Sequence, residues 1–259
     1  MVCKEVIRQI EEVYAKSYAM SWDNVGLLAG RYEKEVNKIY VALDATDEVI
    51  DAAIEENADM LITHHPLIFS GMKKITDDDM IGNRLIRLIQ NDISYYAMHT
   101  NYDVLGMADL SGMKMNFENP EVLEVTVCDE KPEGIGKIAD LEQQITLREC
   151  CQDVKDIFNL DSVKVFGNLD GMVKRVAICP GSGKSTIPEA LKKGADVLIT
   201  GDIGHHEGID AVSQNLAIID AGHYGIEHIF IEDMVQFLGT KFEKICVKGA
   251  PIIHPFAVI

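Results

Sequence analysis

The residues with the clearest capacity for chemistry are imidazoles and carboxylates that follow apolar, strand-like segments. His223 and Glu227 lie four residues apart, where a helix is expected to begin after the apolar run 216–219. Side chains four residues apart on a helix lie on one face, one turn above the other. An imidazole and a carboxylate in that arrangement suit a divalent cation. His223 and Glu227 therefore predict half of a metal site.

Two further segments offer donors for the other half. The sequence THHP at 63–66 directly follows an apolar run, and HTNYD at 99–103 follows another. Adjacent residues on an extended chain point to opposite sides, so His64 and His65 would bind two different metal ions unless the backbone turns there. With Asp103, these histidines complete the predicted ligand set of His64, His65, Asp103, His223 and Glu227.

The elements that must position these side chains alternate between strand and helix, which is typical of a parallel sheet. Ligands of such sheets collect at the carboxyl ends of the strands, where these donors lie. A capping box, Thr146 with Glu149, predicts where one helix begins. The patterns predict helices at 3–18, 46–57, 80–90, 146–158, 187–193 and 229–238. They predict strands at 38–43, 60–63, 93–98, 122–127, 136–141, 163–167, 175–179, 197–200 and 216–219, with a turn at 130–134.

The second part of the chain repeats features of the first. The pattern Ala-Asp-apolar-Leu-Ile-Thr occurs at 58–63 and at 195–200, and a histidine pair follows each copy. The spacing from His99 to Asp103 equals that from His223 to Glu227. An internal duplication is the economical explanation. It predicts an α/β fold of two similar halves, 1–130 and 131–259, with a ligand pocket between them.

The net charge of the chain limits the classes of molecule that it is expected to bind. There are 24 basic and 42 acidic residues, for a net charge of −18. Such a chain repels phosphate backbones and anionic lipid, so we expect neither nucleic-acid nor membrane binding, and an anionic substrate would need a cation to mediate. The six cysteines form no CxxC pair, the sequence contains no apolar run of about 20 residues, and we expect no signal peptide. These features predict reduced thiols and a cytoplasmic location.

Three features have a less specific interpretation. The segment 180–186 resembles a phosphate-binding loop, but that motif needs a glycine at position 178, where Ile178 stands, so a tight glycine turn lining the pocket is the better hypothesis. The loop around Trp22 is either a turn with an aromatic anchor or a loop facing a ligand. His228 and His254 are expected to have no role as ligands, whereas for His205 and His206 both interpretations stay open.

Seven sequence blocks resemble the signatures of the Nif-three-like family, whose members are also called GTP cyclohydrolase 1 type 2 homologues. The blocks occur in order between residues 21 and 232: SWDNVGLL, ALDAT, ADMLITHHPLIF, HTNYD, GSG, ADVLITGDIGHHE and AGHYGIEH. The chain looks like the short form of the family, without an inserted middle domain. The resemblance implies a dinuclear metal centre in the cleft between the two halves, with the same five ligands, and a homohexamer. By the family pattern Glu227 bridges two divalent ions, for which zinc, manganese, iron and nickel all suit imidazole and carboxylate donors.

Five protein ligands for two metal ions leave coordination positions open, as in catalytic rather than structural sites. The hypothesis is therefore a metal-dependent hydrolase of a small nucleotide-like or phosphorylated substrate, with His99, His205 or His206 as proton shuttles. The resemblance adds ring opening of GTP. The alternative is a non-catalytic metal-binding or regulatory interaction protein, because a fold does not determine a function.

Overall fold

A computed structural model of the chain describes residues 1–128 and 131–259 as a mixed α/β fold with two sheets. The chain divides into two compact units. Unit 1 comprises Met1–Tyr102 and Phe230–Ile252, and unit 2 comprises Asp103–Ile229 and Ile253–Ile259. The predicted halves 1–130 and 131–259 refer to a repeat in the sequence rather than to compact bodies. The two halves stay a prediction. The boundary between them and the start of the predicted turn at 130–134 both fall at residue 130, which lies outside the described residues.

Unit 1 is built on a five-stranded sheet with the strand order β1-β4-β3-β2-β11. Strands β4, β3, β2 and β11 run parallel, and β1 is antiparallel to β4. The strands are β1 (Gly26–Ala29), β2 (Lys38–Ala42), β3 (Met60–Thr63), β4 (Ser94–Ala97) and β11 (Cys246–Gly249). The helices are α1 (Cys3–Glu11), α2 (Asp47–Glu55), α3 (Met80–Gln90), α4 (Thr100–Tyr102) and α10 (Ile229–Lys241), whose first residue belongs to unit 2. All residues of β3 and β4 are buried, as the apolar runs predict.

Unit 2 is built on a six-stranded sheet with the strand order β5-β6-β8-β9-β10-β7. Strands β8, β9 and β10 run parallel, and the other pairings are antiparallel. The strands are β5 (Glu121–Cys128), β6 (Pro132–Thr146), β7 (Lys164–Phe166), β8 (Met172–Ile178), β9 (Val197–Thr200) and β10 (Ala217–Asp220). The helices are α5 (Ala108–Lys114), α6 (Leu147–Phe158), α7 (Ile187–Lys192), α8 (His205–Ser213) and α9 (His223–Glu227). A π-helical turn, Asp103–Met107, precedes α5.

Helix starts follow the capping residues of the sequence. Thr146 and Glu149 form the predicted capping box of α6, in which Thr146 Oγ1 accepts a hydrogen bond from the Glu149 amide at 3.2 Å. Thr46 caps α2 by accepting from the Val49 amide at 3.3 Å. Such caps satisfy amides at helix starts that have no partner within the helix.

The predicted first helix, 3–18, is wrong in its second half. Helix α1 ends at Glu11, and a short 3-10 turn spans Lys16–Tyr18. Tyr14 lies beyond the end of α1 and is buried there. Its ring contacts those of Tyr102 and Phe237, with centroid distances of 5.0 and 5.3 Å. Tertiary packing of a tyrosine thus produced a periodicity that resembles a longer helix. Among the described residues, no helix has both the length and the apolar character needed to cross a bilayer.

Candidate metal centre

Among the described residues, several histidine, aspartate and glutamate side chains form groups that could hold a metal ion. In unit 1 one such group is His64, His65 and His99, whose ligand atoms all lie within 4.8 Å of one another. His64 and His65 follow β3, and His99 follows the neighbouring parallel strand β4, so the carboxyl ends of two strands bring the three rings together. The ring centroids lie 4.9 to 5.6 Å apart.

The backbone turns after β3, and this turn lets both adjacent histidines join one group. The hydroxyls of Thr63 and Tyr95 lie 2.7 and 3.0 Å from the carbonyl oxygen of His65, which accepts from both. The Tyr95 hydroxyl also accepts from the Leu67 amide at 2.8 Å. Burial raises the pKa of Tyr95 to about 12, so this hydroxyl keeps its proton as a donor. The backbone therefore bends at His64 and His65 instead of continuing as an extended strand.

Each histidine of this group is oriented by a hydrogen bond between its Nδ1 atom and an oxygen atom. The carbonyl oxygen of Met98 lies 2.9 Å from Nδ1 of His64. A carbonyl can only accept, so Nδ1 of His64 carries the proton and Nε2 carries the lone pair. Nδ1 of His65 lies 2.7 Å from a carboxylate oxygen of Asp44. Metal-binding histidines characteristically have this arrangement, in which an oxygen partner fixes the tautomer and orients the ring.

Nδ1 of His99 contacts the carboxylate of Asp23 at 2.9 Å, and that carboxylate is embedded in a network. Its second oxygen accepts from the amide and the hydroxyl of Thr100 at 2.9 and 2.5 Å. Burial alone would raise the pKa of Asp23, but the hydrogen bonds from His99 and Thr100 and the charge of His99 outweigh burial and lower this pKa to about 2. Asp23 is therefore an ionised, fixed partner for the His99 ring at neutral pH.

In unit 2, His223 and Glu227 lie one turn apart on α9, as their spacing predicts. Nε2 of His223 is 2.9 Å from a carboxylate oxygen of Glu227, and Nδ1 is 2.7 Å from Asp202. Asp202 has a left-handed backbone, with φ of +58°, a conformation that aspartate tolerates better than most residues. The same carboxylate–imidazole arrangement therefore occurs in both units.

Two glycines make room for this donor pair. A Cβ atom on Gly181 would lie 2.3 Å from Oε1 of Glu227, and Gly181 has a φ of +75°. A Cβ atom on Gly201 would lie 2.5 Å from the amide nitrogen of His223. Only glycine fits at these two positions, so the backbone packs closely around the buried carboxylate of Glu227 and the imidazole of His223. Their oxygen and nitrogen donors suit a divalent ion. The residues therefore fit a metal ion.

The glycine turn at 180–186 lines this donor pair rather than a phosphate. The amide of Gly183 donates to Thr200 Oγ1 at 2.9 Å, so it is engaged within the protein. Lys184 is exposed on the short 3-10 turn Gly183–Thr186. These contacts support the prediction of a tight turn and leave no cradle of amides of the length that a phosphate-binding loop needs.

Asp103 opens the π-helical turn of unit 2, a kind of local distortion that is frequent at functional sites. Burial raises the pKa of the Cys179 thiol, and the negative charges of Asp103 and Glu227 raise it further. Both carboxylates therefore lie close enough to Cys179 to act on it electrostatically. Together, unit 2 contributes Asp103, His223 and Glu227 from the predicted ligand set.

The other histidines have different environments. His205 and His206 are exposed in the first turn of α8, where their rings contact each other at 5.2 Å, and their role as proton shuttles stays a prediction. Nε2 of His228 donates to the carbonyl of Phe158 at 3.0 Å, and burial lowers the pKa of His228. His228 thus has a hydrogen-bond partner within the fold, and its lack of a ligand role stays a prediction. His254 is exposed.

Sequence reasoning missed Asp44 and Asp202 as partners of the donor histidines. Asp44 follows β2 and Asp202 follows β9, so both lie at the carboxyl ends of parallel strands. That position was a usable signal, because polar residues collect at these ends in sheets that bind ligands.

Comparison with known proteins identifies the family of the chain. The family model described as Duf34/NIF3 (NGG1p interacting factor 3) matches residues 1–253. The chain belongs to the DUF34/NIF3 family. It is 40% identical over 252 residues to a protein of Clostridium acetobutylicum named GTP cyclohydrolase 1 type 2 homolog, covering 96% of this chain and 94% of that relative.

Solved structures agree with the assignment to the DUF34/NIF3 family. A Bacillus cereus protein related to NIF3 matches with a TM-score of 0.91 and 26% identity, and a hypothetical protein of Staphylococcus aureus with 0.90 and 31%. Each match covers 100% of this chain and 99% of the other chain. The mixed α/β fold with two sheets is therefore that of the NIF3 structures.

Proposed function

We propose that this protein is a metal-dependent hydrolase of a small nucleotide-like or phosphorylated substrate. In this proposal His64, His65, Asp103, His223 and Glu227 bind two divalent metal ions. The observation that carries the proposal is the orientation of the imidazoles: His64, His65 and His223 each have Nδ1 against an oxygen acceptor. This arrangement leaves Nε2 of each ring as the atom that would bind a metal ion, and the carbonyl of Met98 and the carboxylates of Asp44 and Asp202 maintain it.

Two divalent ions held by these side chains would supply Lewis-acid activation of water and a clamp for an anionic oxygen. The chain's own residues supply position and proton transfer. The carboxylate of Glu227, almost fully buried, suits a ligand shared by two cations. His99, oriented through Nδ1 by Asp23, has Nε2 available to take up and release a proton beside His64 and His65.

The names of relatives favour a nucleotide substrate. The relative from Clostridium acetobutylicum is named for GTP cyclohydrolase, and for the present chain ring opening of GTP belongs to the proposal. The rival function is a metal-binding or regulatory interaction protein without catalysis, which the words "interacting factor" in the family description favour. The two functions differ in one measurable quantity, turnover that requires metal.

The test compares wild type with Glu227→Gln, which keeps the size of the side chain but removes its charge. Metal content by elemental analysis and turnover on a panel of nucleotides and phosphoesters are measured for both proteins. We expect Glu227→Gln to lose bound metal and all turnover, while Glu243→Gln, at an exposed acid in the turn that follows α10, matches wild type in both. Lys184→Ala should also match wild type, because the glycine turn binds no nucleoside triphosphate.

Two outcomes would contradict the proposal. A wild-type protein that holds metal but turns over no substrate would favour the non-catalytic rival. Turnover that is unchanged in Glu227→Gln would place the chemistry elsewhere in the chain.

A further inference from the structure

Two exposed aromatic rings lie beside the histidine group of unit 1. Trp22 is 58% exposed and Phe69 is 53% exposed. Their rings contact each other, with centroids 5.7 Å apart and an angle of 40° between the planes. Single exposed apolar side chains are ordinary on protein surfaces, but a contacting pair of large rings at the edge of a donor cluster needs a physical reason.

Both rings also contact the ring of His99. Trp22 and His99 have centroids 6.0 Å apart, Phe69 and His99 6.3 Å, and both pairs meet edge to face. His99 in turn lies 5.3 Å from His64 and 5.6 Å from His65. The two exposed rings are therefore one ring removed from the candidate metal ligands of unit 1.

The backbone beneath the rings is fixed, although the rings themselves are exposed. Asp23, next to Trp22, is held by His99 and Thr100, and the Met20 amide donates to Thr100 Oγ1 at 2.8 Å. The side-chain amide of Asn24 donates to the carbonyl of Ile68 at 2.6 Å, which ties the loop of Trp22 to the loop of Phe69. A ligand that stacks on these rings would have little loop entropy to overcome, because the loops are already ordered.

We propose that Trp22 and Phe69 form a stacking platform for a planar aromatic ring of the substrate and hold that ring beside His99. The inference rests on the proposed function and specifies its substrate class as a compound with a heteroaromatic ring, such as a nucleobase. Stacking on tryptophan and phenylalanine suits any planar ring, because every base offers a π face. Of the two interpretations of the Trp22 loop, the proposal adopts the loop facing a ligand rather than the turn with an aromatic anchor, and the 58% exposure of Trp22 supports it.

Trp22 provides the readout, because it is the only tryptophan of the chain. Guanosine 5′-monophosphate and uridine 5′-monophosphate are titrated into the full-length protein, with and without added metal, while tryptophan emission is recorded. Ribose 5-phosphate serves as the ligand control, since it keeps the sugar and phosphate but lacks the ring. We expect the two nucleotides to quench the emission saturably and ribose 5-phosphate to leave it unchanged.

The variants Trp22→Leu and Phe69→Leu keep an apolar surface but remove one ring each. Calorimetry on the full-length variants is expected to show nucleotide binding weakened about tenfold or more. Trp22→Phe should retain most of the affinity. The control Tyr32→Leu removes a ring that is similarly exposed, at 55%, on the loop after β1, and should bind nucleotides as wild type does.

Metal content in the same samples separates this inference from the proposed function. Nucleotide binding that is equal in wild type and both leucine variants, with metal content retained, would overturn the platform and leave the metal-dependent hydrolase standing. A change of the oligomer mass in the leucine variants would also overturn it, because the rings would then be a contact between copies of the chain. Wild type that binds no metal but still binds nucleotides through Trp22 would support the platform and contradict the proposed function.

Discussion

At the scale of single residues, the candidate site is a set of imidazole rings whose orientation depends on acidic partners. Asp44, Asp23 and Asp202 each lie within 2.9 Å of Nδ1 of a histidine. A carboxylate in this position raises the basicity of the ring and keeps the other nitrogen directed at a cation. Metal affinity should therefore depend on side chains that are not themselves ligands.

Removal of Asp202 is the sharpest test of that dependence. Asp202→Ala should weaken metal binding about 10- to 100-fold, because His223 loses the partner that fixes its tautomer. Affinity is measured by competition with a chromogenic chelator. Asp210→Ala, at an exposed acid of α8 in the same unit, is the control and should bind metal as wild type does. Equal affinities in all three proteins would show that Asp202 has no part in orienting His223.

The sequence indicated the candidate histidines more readily than the acidic residues that orient them. His223 and Glu227 were accessible because helical spacing alone brings them to one face, and the structure places them 2.9 Å apart. Asp44 and Asp202 were missed, because a single acid among 42 acidic residues has no periodic signature and only the position after a parallel strand marks it. The left-handed backbone of Asp202 cannot be inferred from a residue type that adopts it only in a minority of cases.

At the scale of elements, the carboxyl ends of parallel strands determine where the donors lie. The strands β2, β3 and β4 are adjacent and parallel in one sheet, and β8, β9 and β10 in the other. Strand β3, helix α3 and strand β9 have the predicted bounds, because continuous apolar runs and a helical stripe between polar turns define them without tertiary information. The internal duplication remains a proposal, which these two similar strand triplets support.

The glycine turn after β8 should be intolerant of any side chain. Gly181→Ala forces a Cβ atom against Glu227 and a non-glycine residue into positive φ, so we expect a loss of about 1–3 kcal/mol in the free energy of unfolding. Metal affinity should fall as well, because the carboxylate must move. Denaturant unfolding and chelator competition measure the two effects.

Gly239→Ala is the matched control for that prediction. Gly239 lies in the exposed part of α10, and nothing is within 4 Å of the position of its added Cβ atom. Alanine should therefore stabilise the protein by about 0.5–1 kcal/mol without any effect on metal binding. A Gly181→Ala protein as stable and as metal-competent as wild type would show that the turn does not constrain Glu227.

At the scale of the whole molecule, the prediction that remains open is the assembly. We propose a homohexamer, which so far rests only on the resemblance of the sequence blocks. Six copies of the 28.7 kDa chain have a mass of about 172 kDa, which light scattering coupled to size exclusion would measure. A mass of one or two chains across a range of concentrations would contradict the proposal. Sequence periodicity could not decide this point, because exposed apolar residues serve substrate binding and subunit contact alike.

The buried thiol of Cys179 has a consequence for how the protein behaves in air. Burial keeps this sulfur protonated and shielded, so it is a poor target for peroxide and alkylating reagents. The proposed ligands are imidazoles and carboxylates, neither of which oxidises under mild conditions. Peroxide should therefore modify the exposed thiols of Cys128 and Cys246 before that of Cys179, and mass spectrometry of the digested protein would show this order.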